Sequence, residues 1–382
     1  MVRRLAVATS AAPAQMSNAL RGASVHVVTI DFETYFDSEY TLSKMTTEEY
    51  VRDPRFDALG AAICENGRVE WFSPKDLRYW LTAMGDNIAM LAHHAHFDGL
   101  ILSHHFDFRP KFWLDTLSMA RVLFDSSVKK GLGDLSERLG LAPKTVPYDA
   151  FKGRHWDELD PATQQAVASG ACHDCVLTKQ IADLMMSGKH EKIPYPFPVS
   201  ELQVIDLTVK MFVDPILIGD VDALGAAWLD ENKATHELFT RLNEIYRVPV
   251  VIGPAELRKD ACFAWCLEQL GVEPEQKTTP KGNEKYAFAK SDYFMQDLLY
   301  EQDEDIALLA EARLKAQSSI YRTRIERYGW MATRGPLCVY LAYAAAHTRR
   351  WGGGDKTNFQ NLPRPDPYRP QKGALRRAIK AP

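Results

Sequence analysis

The run Ser24-Val25-His26-Val27-Val28-Thr29-Ile30 is rich in β-branched residues and reads as a buried strand, and it leads directly into Asp31-Phe32-Glu33-Thr34. Side chains two apart on a strand share a face, so Asp31 and Glu33 can address one cation. Phe32, between them, faces the other way and anchors the strand end by burial. Taken alone, the tetrapeptide reads better as a strand that simply stops at an exposed acidic turn. What decides between the two is whether further carboxylates follow at the ends of later elements.

The bulk numbers leave the question open but narrow it. At 382 residues the chain has room for two or three domains and an ample core. Its net charge of −4 gives no global basic field, although a local basic track can sit inside an acidic whole. Six cysteines (Cys64, Cys172, Cys175, Cys262, Cys266, Cys338) are too sparse for a disulfide framework, so a reduced, cytoplasmic setting is expected. No apolar run approaches the roughly 20 residues of a membrane helix, and no membrane partner is expected. Residues 1–24 are Ala/Ser-rich and basic. They suit a disordered tail, an organellar transit peptide, or sequence upstream of a true start at Met16.

From Ser24 to Asp115 short strands alternate with turns. Leu59–Cys64 and Val69–Phe72 flank Glu65-Asn66-Gly67, a hairpin signal because Asn-Gly accepts the positive φ of a tight turn. Ser73-Pro74 opens a short helix. Asn87–Ala92 is another buried strand, Gly99–His105 reads helical, and Phe112–Asp115 is a strand followed by helix from Thr116 to Phe124. Strands interleaved with helices predict an α/β domain with a mixed sheet. Asp160-Pro161 starts a helix that runs to about Met186, and the Pro194, Pro196, Pro198 run marks a domain boundary. Beyond it the pattern predicts long helices: Glu201–Phe212, Asp220–Tyr246, Pro254–Leu270 and Asp303–Tyr328, with Lys277–Gly282 as loop. Leu341-Ala342-Tyr343 reads as a strand in a final stretch with a basic bias. From Ala344 to Pro382 it holds Arg349, Arg350, Lys356, Arg364, Arg369, Lys372, Arg376, Arg377 and Lys380 against only Asp355 and Asp366.

Further acids do follow. Asp98 sits at a helix start in Ala92-His93-His94-Ala95-His96-Phe97-Asp98, and Asp174 sits mid-helix, one turn before Thr178. Four converging carboxylates repel one another and stay ionised together only around multivalent cations. Hard oxygen ligands suit Mg²⁺ or Mn²⁺, and two such ions about 4 Å apart can activate water and stabilise the leaving oxygen of a phosphodiester.

In this order, Asp31-x-Glu33, Ala95-His96-Phe97-Asp98 and helical Asp174 with Thr178 resemble the DEDD family of 3′→5′ exonucleases, across roughly Val25 to Met186. The resemblance implies an RNase H-like fold, with Asp31, Glu33, Asp98 and Asp174 as the metal ligands and catalytic set. Asp31 and Glu33 would hold the catalytic ion, Asp98 would bridge or bind the second, and Asp174 would complete the first. Asp115-Thr116 also sits where the family often has Asp-Thr. Two positions depart from the family pattern. His94 stands where Asn is common. Gly170 and Ser169 stand where the family has a Tyr or a His to orient the attacking water, with His173, His94 or His96 as possible replacements.

Other readings of these residues stay open. Cys172-x-x-Cys175 with Cys262-x-x-x-Cys266 would make a four-sulfur zinc site, or the cysteines pack in separate cores. His93, His94 and His96 are a transition-metal cluster or a His-rich active-site loop. Trp228, Trp265 and Trp330 read as core rather than as base-stacking platforms.

The segment Thr348-Arg349-Arg350 through Asn358-Phe359-Gln360-Asn361-Leu362-Pro363 resembles the Thr-Gly-Arg…Asn-Leu-Gln-Asn-Leu-Pro segment of bacteriophage-type family A DNA polymerases. This implies that Thr348, Arg350, Asn358, Gln360 and Asn361 contact primer–template DNA, while Arg349 replaces the usual Gly. Glu201–Phe212 and Gln317-Ser318-Ser319 resemble the family's connector and thumb helices. Gly373–Pro382 resembles the lead-in to the first palm aspartate, and the nucleotidyl-transfer motifs are absent from these 382 residues. The expected architecture is an α/β RNase H-like exonuclease domain with a mixed sheet (25–190), a mainly helical connector and thumb-like region (200–335), and a truncated palm segment (336–382). Leu375–Ile379 would then lack the strands that cover them. The expected activity is two-metal proofreading hydrolysis at a single-stranded DNA 3′ end, in the cytoplasm of a bacterial host. The alternative is a weak or inert DNA-binding subunit of a split polymerase, with palm and fingers on a second chain.

Overall fold

The computed structural model describes residues 26–245, 252–280, 282–318, 320–362 and 373–381. The expectations for the tail 1–24, for Ser319 and for Arg364, Arg369 and Lys372 lie outside the described residues. Two compact units divide the chain. Among the described residues, the first takes the chain up to Ile218, then Arg334–Leu362 and Ala381. The second takes Gly219–Thr333 and Gly373–Lys380.

The first unit is built on β1 (His26–Thr34), the central strand of a five-stranded sheet. Around it come α1 (Thr47–Arg52), β2 (Ala58–Glu65), β3 (Arg68–Phe72), α2 (Pro74–Met84), β4 (Ile88–Ala92), α3 (Ala95–His105), β5 (Phe112–Asp115) and α4 (Thr116–Leu123). Then follow α5 (Leu132–Arg138), α6 (Tyr148–Phe151), α7 (Pro161–Ser187) and α8 (Glu201–Val213). The strand order is β3-β2-β1-β4-β5, antiparallel from β3 to β1 and parallel from β1 to β5. This is a mixed sheet consistent with an RNase H-like fold. Strand β4 is buried at all five positions, as a strand covered on both faces must be. The β2–β3 hairpin turns at Asn66 and Gly67, both at positive φ, as the Asn-Gly signal requires.

Strand β1 does not stop where the acidic residues begin. Asp31 pairs with Ala62 and Glu33 with Gly60, so the acids belong to the central strand and a bulge follows them at Thr34. Gly60 is needed there because Trp71 and the Phe72 carbonyl close over it, leaving no room for a Cβ. Helix α7 is capped by Asp160, which accepts from the Ala162 and Thr163 N–H groups at 3.0 Å. It is bound to the sheet through the Cys175 thiol, which donates to the Thr29 carbonyl at 3.3 Å.

Arg334–Leu362 is part of this same unit. Arg52 donates to the Pro336 carbonyl at 2.9 Å, and the Arg334 guanidinium meets buried Glu48. Asp355 Oδ1 accepts from the Thr47 N–H at 2.7 Å, and Lys356 Nζ donates to the Ser43 and Met45 carbonyls at 3.0 and 3.1 Å. The expected strand at Leu341–Tyr343 is a two-residue pairing of Leu341–Ala342 with Gly352–Gly353.

The second unit is mainly helical: α9 (Val221–Ile245), α10 (Pro254–Leu257), α11 (Asp260–Gln269), α12 (Tyr293–Leu299), α13 (Glu304–Gln317), α14 (Ile320–Arg334, whose last residue joins the first unit) and α15 (Ala374–Arg377). Its core gathers Leu242, Leu257, Phe263, Leu267, Met295 and Leu309. The expected continuous helix Pro254–Leu270 is broken. Buried Arg313 reaches across from α13 to the Leu257 carbonyl and to Asp260 at the break. The stretch expected as loop, Lys277–Gly282, instead begins in a strand, Gln276–Thr278, paired with Glu284–Tyr286. The tryptophans expected in the core are not there: Trp330 is 60% exposed, and Trp228 and Trp265 are also exposed. Leu375 and Ala378, expected to lack cover, are fully buried. Asp220 secures that segment, donating its N–H to the Ala378 carbonyl at 2.7 Å and pairing its carboxylate with Lys380.

Candidate active site

Asp31 and Glu33 come from β1, Asp98 from the first turn of α3, and Asp174 from the middle of α7. Glu33, Asp98 and Asp174 are buried and Asp31 is half-buried. Asp98 Oδ1 accepts from the Phe32 backbone N–H at 3.1 Å, which fixes α3 to the strand between the two β1 acids. Phe32 turns away from them into the core and packs 5.6 Å from Phe106.

The electrostatics show that the four acids share one neighbourhood. Burial, then repulsion from Glu33, Asp98 and Asp174, pushes the Asp31 carboxyl well above its usual range. Burial pushes Glu33 up to about 8 against the opposing pull of Lys144, with Asp174 and Asp98 adding to the rise. Burial also pushes Asp98 up to about 7, although the Phe32 N–H opposes it. Burial raises Asp174 while Lys144, whose Nζ lies 2.8 Å from Asp174 Oδ2, pulls it back. As the side chains stand, no three His, Cys, Asp or Glu among the described residues are gathered to hold a metal ion. The donor set nevertheless fits a hard divalent cation. It is all carboxylate oxygen, it is mutually repulsive, and it includes buried Asp174 Oδ1, which has no hydrogen-bond partner.

The histidines lie apart from the acids. His93 Nδ1 is 2.8 Å from Thr116 Oγ1, and His94 Nε2 is 3.0 Å from the Tyr340 hydroxyl. His96 is wholly buried, with its ring 4.7 Å from that of Tyr340 and 5.4 Å from that of Phe212. Burial pushes His96 down to about 3 and His93 to about 4, so both are neutral packing groups. Asp115 organises this turn. It caps α4 through the Leu117 and Ser118 N–H groups and accepts from His94 N–H at 2.8 Å and Ala95 N–H at 3.2 Å. His94 has φ 72°, a left-handed conformation that Asn and His both tolerate, which accounts for His at a position where Asn is common. His173 Nε2 faces the Pro143 carbonyl at 2.9 Å.

Sequence reasoning missed Lys144 and Tyr148. The loop that carries them packs onto α7 at Gly170. A Cβ there would lie 2.8 Å from Val146 Cα, so the loop itself fills the space above that position. Lys144 Nζ donates to the Tyr148 hydroxyl at 3.1 Å, and the charges of Glu33 and Asp31 both act on that phenol. No motif marks this pair; only the large-to-small change at Gly170 hinted that another segment would fill the gap.

The cysteine pairs lie in separate cores. Cys172 and Cys175 pack with Cys64, Ala62 and Val69, and Cys266 packs with Phe263 and Leu267. Thiols in such surroundings stay protonated, and burial pushes Cys172 up to about 12. The zinc reading is not supported.

In the carboxy-terminal segment, Thr348, Arg350, Gln360 and Asn361 are exposed and Asn358 is half-buried. Arg350 Nε donates to Thr348 Oγ1 at 3.0 Å. Arg349, where the polymerase resemblance expects Gly, has φ 60°, the left-handed region that favours glycine. Its guanidinium donates to the Arg121 and Val122 carbonyls, which offsets the strain.

No family model matches the chain, and no curated protein matches it. In fold it is similar to the POL domain of Pol1 from M. smegmatis, solved in complex with DNA primer-template and dNTP. That likeness has a TM-score of 0.56 and 16% identity, and it covers 98% of this chain. The chain spans 58% of the length of that protein. Trypanosoma brucei RNase D, solved alone and with RNA U12, also matches, at 16% identity over 52% of this chain with a TM-score of 0.36, covering 69% and 66% of those chains. The fold is thus a polymerase-like one.

Proposed function

We propose that the chain is the exonuclease-bearing part of a family A DNA polymerase, and that its first unit hydrolyses phosphodiesters from a DNA 3′ end. The observation that carries this reading is the gathering of Asp98 and Asp174 about the two acids of β1, where their charges add to burial in raising both Asp31 and Glu33. Such a cluster is unfavourable for folding alone and is explained by a ligand of opposite charge. Two Mg²⁺ or Mn²⁺ ions held by these four residues would supply an activated water and neutralise the leaving oxygen. The protein's own part is to hold the ligands. β1 presents Asp31 and Glu33 on one face, the Phe32 N–H orients Asp98, and α7 delivers Asp174 without a competing backbone partner. Hydrolysis forms a bond from water oxygen to the terminal phosphorus and breaks the bond to the 3′ oxygen, giving a nucleoside 5′-monophosphate and a strand with a new 3′-hydroxyl. Thr348, Arg350, Asn358, Gln360 and Asn361 are proposed to grip primer–template DNA.

The test is shortening of 5′-labelled single-stranded DNA by the whole chain with and without Mg²⁺. Stepwise loss from the 3′ end is expected. Asp31→Ala should reduce it by more than about 100-fold, beyond what loss of an outer-shell partner costs a metal site. A parent no faster than Asp31→Ala sinks the reading. It would leave the inert, DNA-gripping subunit, which the ion pair on Asp174 and the small residue at Gly170 favour.

A further inference from the structure

The proposed site lacks a water-orienting side chain at Gly170, and Val146 of a neighbouring loop fills the space over that glycine. The loop between α5 and α6 is held onto α7 at three points. Pro143 faces His173, Lys144 pairs with Asp174, and Val146 packs directly over Gly170. A larger residue at 170 would displace this loop. Glycine is therefore what allows the loop to reach the carboxylates. At its end Tyr148 lies beside Phe36 and Phe151, with its hydroxyl bonded to Lys144 and its side chain partly exposed. A phenol and an ammonium thus stand at the acid cluster on a segment far in sequence from any motif.

We propose that Tyr148 and Lys144 are the positioning residues of this site. Resting on the exonuclease reading above, the Tyr148 hydroxyl orients the attacking water. Lys144 fixes that hydroxyl and pairs with Asp174, so the ligand cluster is held at lower net charge until a cation enters. The group that the exonuclease resemblance expects on α7 is, in this proposal, delivered by a neighbouring loop.

The two roles separate in binding and turnover. Mn²⁺ binding is measured by calorimetry on the whole chain, and cleavage of single-stranded DNA is measured in Mg²⁺. Lys144→Met removes a positive charge from the cluster, so Mn²⁺ should bind several-fold tighter while kcat falls. Tyr148→Phe should leave Mn²⁺ affinity within about twofold and KM little changed. Its kcat should fall by about 100-fold, the low end for a group acting on a proton in flight. Lys144→Arg, which keeps both the charge and the reach, should recover most of the turnover. A merely structural lysine would weaken metal binding and turnover together, and that result overturns the proposal, as does a Tyr148→Phe chain as fast as the parent. A parent that neither binds Mn²⁺ nor cleaves overturns the exonuclease reading itself.

Discussion

Gly170 shows how one residue can reverse its meaning between sequence and structure. Read along the chain, it is a missing tyrosine. In the fold it is the clearance that lets Val146 pass, 2.8 Å from where a Cβ would sit. Two effects oppose each other in Gly170→Ala: about 1 kcal/mol gained in helix propensity against roughly 1–3 kcal/mol for overpacking. The net effect is a small loss of stability. Gly170→Tyr must move the whole loop, and a loss beyond about 2 kcal/mol is expected. Although it supplies the tyrosine that the exonuclease resemblance expects, it should not raise the proposed nuclease activity, because it pulls Lys144 from Asp174. Thermal melting and the cleavage assay on the same samples check both statements. The four acids were singled out by their order along the chain, and in the fold the charges of Asp98 and Asp174 act on both Asp31 and Glu33. Lys144 and Tyr148 carried no such signal, because their place beside Asp174 depends on which loop covers α7, and spacing does not encode that.

At the level of elements, local signals worked where the structure is local. The Asp160-Pro161 start of α7 and the Asn66-Gly67 hairpin need only their own residues. The break between α10 and α11 needs Arg313, more than fifty residues away, so no local pattern shows it. The strand pair Gln276–Thr278 with Glu284–Tyr286 is polar and lacks alternation, so periodicity is silent there. The strap around Asp355 makes a pH prediction. Burial, opposed by hydrogen bonds from Thr47, pushes Asp355 from 3.8 up to about 6. Between these values the folded chain holds a proton that the unfolded chain has lost. This contribution to stability is therefore complete below about pH 4 and falls as pH rises to about 6. The loss is about 1–3 kcal/mol. Asp355→Asn, which keeps an acceptor for the Thr47 N–H, should flatten the stability profile across pH 4–6 in denaturant titrations.

For the whole molecule, the net charge of −4 says little about where nucleic acid would lie, and the structure sorts the basic residues. Arg349 and Lys356 are committed to carbonyls of the first unit, whereas Arg350 is exposed beside Thr348. Only phosphate-bound cations contribute counterion release. Arg350→Ala should therefore lower the magnitude of the slope of log K against log salt by about 0.7–0.9, according to whether single- or double-stranded DNA is bound. Arg349→Ala should leave the slope unchanged and lower the melting temperature. Fluorescence anisotropy over a salt series separates them, and equal slopes for Arg350→Ala and the parent would remove Arg350 from the DNA track. Among the described residues no helix is long and apolar enough to cross a membrane.

Arg334–Leu362 belongs to the same unit as residues 26–218, and this has a consequence for biosynthesis. Tyr340, which packs on His96 and Phe212, is translated more than a hundred residues after Phe212. At roughly 5–20 residues per second the ribosome needs roughly 6–26 s to make the intervening chain. During that interval the nascent sheet lacks the Tyr340 ring over His96 and the Asp355 cap on Thr47. The amino-terminal unit thus waits for contacts that only later synthesis supplies, and pauses within Gly219–Thr333 would lengthen that interval.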